Sequence, residues 1–127
     1  MSWQFNRTEA VFLQIEKRLK REILVGKYPP DSQFPSVRQL AAEAAVNPNT
    51  IQKALSLLED EGLLYSKGTL GRFVTNDEET LRGGREAMRK EIVISLLSQA
   101  RELGISDKEI INYIEMEEEQ NVREDNS

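Results

Sequence analysis

Five side chains crowd the front of one helical stretch, VNPNTIQKALSLL: Asn47, Asn49, Thr50, Gln52 and Lys53. Amides and hydroxyls at that density suit hydrogen bonds to base edges, and lysine suits phosphate. More such groups flank them: Ser36 and Arg38 upstream, and Lys67, Gly68 and Arg72 downstream. Other chemistries find little to work with. The chain of 127 residues has no histidine and no cysteine, so the commonest general base, metal ligand and thiol nucleophile are missing. It holds no nucleophile–base pair and no glycine-rich phosphate loop. The acidic run Glu115, Glu117, Glu118, Glu119 is best read as a solvated helix end. The expectation is a protein that is not an enzyme and needs no metal and no cofactor.

The residues Phe34–Leu63 read as two short helices joined by a tight turn. Ser36 caps the first, with Gln39 at capping-box spacing, and Leu40, Ala41 and Ala44 give it a narrow apolar face. Asn47 is an N-cap for the second, Pro48 suits its first turn, and Ile51, Ala54, Leu55 and Leu58 follow at helical spacing. The polar front residues lie mostly off that stripe, as on a helix that enters the major groove.

Upstream, Thr8 is positioned to cap a helix over Glu9–Val25, with Gly26 ending it and Phe12, Ile15, Leu19 and Ile23 on one face. Trp3 and Phe5 before it suit a short strand or an apolar clip. The proline-rich GKYPPDSQFPS is a loop. Downstream, Leu63–Tyr65 and Arg72–Thr75 bracket SKGTLG and predict a hairpin, with Phe73 and Val74 inward and Lys67 and Gly68 at the tip. A hairpin directly after a recognition-type helix is a wing, and its basic residues suit phosphate or the minor groove.

The formal charge of −5 divides unevenly: residues 1–76 carry +2 and residues 77–127 carry −7. The acidic part should lie away from DNA phosphate. Asn76–Glu79 can cap a long helix running to about Leu103, which Gly83-Gly84 either kinks or shortens to start near Arg85. Gly104 ends it, Ser106 and Glu109 form a second capping box, and the charged tail after Met116 is expected to fray. Met88, Ile92, Leu96, Leu103, Ile110 and Ile114 line the apolar faces. Two helices cannot build a core alone, so these residues are expected to make a homodimer interface; an intramolecular cap on the first domain is the alternative. No apolar run reaches the roughly 18 residues of a membrane span, nor does the N-terminus hold an apolar signal core, so a cytoplasmic location is expected.

The ordered series Gln14-Ile15, Ile23…Gly26, Pro35-Ser36…Arg38…Leu40-Ala41, Val46-Asn47…Thr50, Ala54…Leu58-Glu59…Glu61-Gly62-Leu63 and Gly71…Phe73-Val74 resembles the N-terminal domain of GntR-family transcriptional regulators. The short helical remainder, and Asn47-Pro48-Asn49-Thr50 with Gln52 and Lys53, resemble the YtrA subfamily. The resemblance implies a mainly α fold with a small β-hairpin. A winged helix-turn-helix DNA-binding domain over residues 1–76 would precede a two-helix C-terminal dimerisation segment over 77–127. It implies a homodimeric repressor of a palindromic operator in double-stranded DNA, often at genes for ABC transporters, and leaves any effector unnamed. Two departures stand out. Asp31 replaces the glycine usual in that loop, and Pro48 and Gln52 replace arginines of other branches. A winged domain used only for protein–protein contact is the competing reading.

Overall fold

Ile15, Leu19 and Ile23 recur at helical spacing and become the buried stripe of α1 (Val11–Leu24). The computed structural model describes residues 3–125. After α1 come α2 (Val37–Ala44), α3 (Pro48–Asp60), the strands β1 (Leu64–Ser66) and β2 (Arg72–Val74), and the helices α4 (Glu78–Glu102) and α5 (Asp107–Asp125). The fold is mainly helical with one antiparallel hairpin, as expected. Its contacts divide it inside α4, after Arg85.

In the first unit, α3 packs on both α1 and α2. Ile15, Leu19, Leu40, Ile51, Leu55, Leu58 and Val74 are its fully buried large side chains, each worth about 1.5–3 kcal/mol of transfer from water. Both ends of the helix pair are built as the sequence predicts. Gln39 N–H donates to Ser36 Oγ at 3.1 Å, and Ser36 N–H donates back to Gln39 Oε1 at 2.9 Å. Asn49 N–H donates to Asn47 Oδ1 at 2.8 Å, and Pro48 opens α3. Between the helices Ala45 turns the chain with φ 58° and ψ 48°, a left-handed conformation that disfavours any Cβ.

The start of α1 differs from expectation. Thr8 does not cap it, because its N–H and Oγ1 both donate to Asn6 Oδ1, at 3.1 and 2.9 Å. The helix begins at Val11 with Ala10 at the cap position and no side-chain cap bond. Trp3 and Phe5 form no strand; they make the clip, with the Arg18 guanidinium 3.8 Å above the Trp3 ring. Gln14 ties this segment down, donating to Asn6 O at 3.0 Å and Glu9 O at 2.8 Å while accepting from Asn6 N–H at 3.0 Å.

The loop before α2 is partly a third strand for the wing. Asp31 N–H donates to Val74 O, Val74 N–H to Ser32 O and Phe34 N–H to Arg72 O, at 2.8, 3.0 and 2.8 Å. Asp31 takes φ 64°, the conformation a glycine would supply freely, and its carboxylate accepts from Tyr65 Oη at 2.8 Å and Asn76 Nδ2 at 3.2 Å. In the hairpin Leu64 pairs with Val74 and both are buried, while Tyr65 pairs with Phe73 on the other face. Phe73 is therefore half-buried beside Tyr65 rather than packed inward with Val74, since neighbours on a strand face opposite ways.

Asp77 caps α4, accepting from Glu79 N–H at 3.1 Å. The helix continues through Gly83-Gly84 and does not wait for Arg85 to begin. A Cβ at Gly84 would stand 2.8 Å from Leu24 Cδ2, so glycine here permits the close approach of α4 to α1.

In the second unit the rest of α4 and α5 meet at a turn where Gly104 takes φ 74° and the Ser106–Glu109 capping box forms. Ala100 and Ile110 are buried there. The helices do not pack along their lengths, and Ile92, Val93, Leu96, Leu103, Ile111 and Ile114 are exposed. The tail does not fray at Met116: α5 continues to Asp125, since Glu, Gln and Arg are good helix formers. Asn126 and Ser127, the end of that tail, lie outside the described residues.

Two local features carry predictions. Ala45→Gly removes the left-handed penalty but adds glycine's entropy cost, so urea unfolding should show a gain of about 0.5–1 kcal/mol. A loss would contradict the assigned turn. Glu16 is buried on α1, its Oε1 3.0 Å from Lys20 Nζ, which also lies 2.9 Å from Glu61 Oε2. Desolvation, then hydrogen bonding with Glu61, raises its pKa above the ordinary 4.5, although Lys20 opposes this. A raised folded value favours the protonated form. Its stabilisation is complete below 4.5 and lost as pH rises through the folded value. The stability difference of Glu16→Gln from the parent should therefore move in the variant's favour from pH 4 to pH 7; a flat difference would contradict this.

Candidate nucleic-acid interface

The buried stripe of α3 fixes what its other face can be. With Ile51, Ala54, Leu55 and Leu58 turned to the core, Asn49, Gln52 and Lys53 are exposed together, and Thr50 is half-buried at their edge. The side chains of Asn49, Thr50 and Gln52 make no hydrogen bond among the described residues, so their amides and hydroxyl are available to a ligand. Asn47 is exposed but spends its side-chain oxygen on the cap. Ser56, one turn beyond Gln52, continues the exposed row and was not singled out from sequence, although the i, i+4 spacing from Gln52 was there to find it.

Arg38 projects from the first turn of α2, exposed and without an ion pair among the described residues. Ser36, the N-cap of that helix, is exposed but committed to its capping box. At the wing, the tip is a tight 3₁₀ turn, Gly68–Leu70, closed by Lys67 N–H donating to Gly71 O at 2.8 Å. Gln33, from the loop before α2, pins that tip by donating to Leu70 O at 2.8 Å, a tie that no periodicity in the sequence signals. Lys67 and Gly68 are exposed at the tip, as expected.

Arg72 behaves differently. It is half-buried and ion-paired with Glu59 of α3, which also accepts from Ser66 Oγ at 3.0 Å. Its charge is met within the fold, and the pair ties β2 to the recognition helix. The exposed cations of this surface are thus Arg38, Lys53 and Lys67, on three separate elements around the polar row of α3. Among the described residues no cluster of His, Cys, Asp or Glu could hold a metal ion.

The C-terminal positions read as apolar divide by burial. Ile110 is buried within the chain, Met88 is half-buried, and Ile92, Leu96, Leu103 and Ile114 are exposed, Leu103 to 80%. No helix of the structure is long and apolar enough to cross a membrane.

Comparison with known proteins agrees with this geometry. The family described as bacterial regulatory proteins, gntR family, matches residues 12–74, from the first turn of α1 to the end of β2. The chain is 32% identical to the HTH-type transcriptional repressor YtrA of Bacillus subtilis over 105 residues, covering 82% of this chain and 81% of that protein. Its fold is similar to a GntR family transcriptional regulator from Listeria monocytogenes, with a TM-score of 0.80 and 28% identity over 88% of this chain and 98% of that one. It is also similar to the DNA-binding domain of AraR in complex with operator ORX1, with a TM-score of 0.51 and 29% identity over 59% of this chain and 92% of that one. The polar recognition helix, the wing and these likenesses together make the chain a member of the GntR family of transcriptional regulators.

Proposed function

We propose that this protein is a repressor that binds a palindromic operator in double-stranded DNA as a homodimer in the bacterial cytoplasm. The observation that carries the DNA reading is the exposed row of unpartnered amides on α3, flanked by exposed cations on α2 and the wing. Residues 1–76 do the binding and residues 77–127 the dimerisation. Asn49, Thr50 and Gln52 read base edges in the major groove, where an amide pairs well with adenine. Arg38, Lys53 and Lys67 take phosphate; Gly68 lets the wing backbone approach the minor groove. Ser36 and Asn47 hold the helix starts whose free N–H groups face phosphate. Arg72 acts at the wing by holding it on Glu59.

The dimer reading is supported by the exposed apolar faces of α4 and α5, where Ile92, Leu96, Leu103 and Ile114 lack intramolecular cover. Met88 and Ile110 border those faces. A second copy would cover them and present two recognition helices with two-fold symmetry, which is what a palindromic operator requires. The likeness to YtrA supports repression, and ABC-transporter genes are the proposed targets.

Operator binding is tested with a duplex selected from a random pool. Arg38→Ala should lower affinity about tenfold and reduce the magnitude of the log K–log[salt] slope by about 1, with the unfolding midpoint unchanged. Unchanged affinity and slope, or failure to select any duplex, would leave the wing and helix as a protein-contact module. For the dimer, Ile92→Glu with Leu96→Glu should sediment as a monomer and bind the full operator at least tenfold more weakly. A double variant that still sediments as a dimer would refute the assigned interface.

A further inference from the structure

The five lysines of the first unit fall into two groups according to whether a carboxylate holds them. Lys17, Lys20 and Lys27 each reach a carboxylate, of Glu9, of Glu16 and Glu61, and of Glu22, within 2.5 to 3.3 Å. Lys53 and Lys67 reach none among the described residues, and both stand over aromatic rings. Lys53 Nζ is 5.3 Å from the centroid of Phe12, at the first turn of α1. Lys67 Nζ is 4.7 Å from Phe73 and 5.6 Å from Tyr65. These two rings are a cross-strand pair, 6.0 Å apart and inclined by 27°.

The physical difference matters for a charged ligand. A carboxylate restrains a lysine but cancels its charge, and an anion must then compete with it. An aromatic face restrains the four-carbon stem and attracts the ammonium through the ring quadrupole, yet leaves the full positive charge to act outward. Lysine has much rotamer entropy to lose on binding, so a stem already laid on a ring loses less when phosphate arrives. Phe12 and Phe73 are half-buried, positioned to offer a face without being core residues.

We infer that Phe12 and the Tyr65–Phe73 pair are positioning residues for DNA binding, holding Lys53 and Lys67 extended and un-neutralised toward phosphate. This rests on the reading of those lysines as phosphate contacts. Phe12 works from α1, an element that presents no base-reading residue of its own.

Operator affinity and its salt dependence test this in the full-length protein, using the duplex selected from a random pool. Lys53→Gln and Lys67→Gln should each reduce the magnitude of the log K–log[salt] slope by about 1. Phe12→Leu and Phe73→Leu should each weaken binding about two- to fivefold, and Phe12→Tyr, which keeps the ring face, should restore it. Coupling decides the matter: Phe12→Leu should have no further effect in Lys53→Gln, nor Phe73→Leu in Lys67→Gln. Equal losses with and without the lysine would make the rings merely structural and overturn the inference. Unchanged affinity in the lysine variants alone would instead remove the phosphate reading on which it stands. Independently of any variant's folding, the ε-methylene protons of Lys53 and Lys67 should show upfield ring-current shifts in the free parent protein; random-coil shifts would overturn the positioning role.

Discussion

The burial of one face of α3 against α1 is the contact on which everything else here depends. Ile51, Leu55 and Leu58 meet Ile15 and Leu19 in a core from which water is excluded. A 13-residue helix is marginal on its own, so its stability comes from that packing rather than from propensity. Because the core takes up the apolar stripe, the front of the opposite face is free to carry amides, a hydroxyl and a lysine. α2 and the wing are then set by their ties to this helix. The left-handed turn at Ala45 brings Arg38's helix across it, and the Arg72–Glu59 pair seats the hairpin on it.

The distribution of charge follows the same division. Where the fold needs cations for itself, as in Arg72 with Glu59 or Lys20 with Glu16 and Glu61, each is met by a carboxylate. Around the polar row of α3 the cations are exposed and un-neutralised. This resolves the apparent conflict between a net charge of −5 and DNA binding, since the acidic excess lies in residues 77–127 and the local field near α3 is set by a few uncompensated groups.

Much of this was legible in the residues themselves. Caps are local chemistry, so Ser36–Gln39, Asn47 and Ser106–Glu109 could be placed from spacing alone, and the stripe of α3 followed from its period. What could not be read depends on partners distant in the chain. The bonds of Asp31–Phe34 to β2, the tie of Gln33 to the wing tip and the burial of Arg72 against Glu59 join residues whose pairing has no periodic signature. Gly84 looked like a helix breaker because Leu24, which makes glycine necessary there, lies about sixty residues away. Thr8 has the residue type of a cap but does not serve as one, because Asn6 Oδ1 takes both its N–H and its hydroxyl. The continuation of α5 beyond Met116 shows helix propensity outweighing acidic repulsion.

The central claim is that two copies of the polar α3 face read one two-fold operator. Hydroxyl-radical footprinting of the parent protein on a duplex selected from a random pool addresses it directly. The account predicts two protected half-sites related by a two-fold axis, their centres about one helical turn or a whole number of turns apart. A single protected half-site at saturating protein would contradict it.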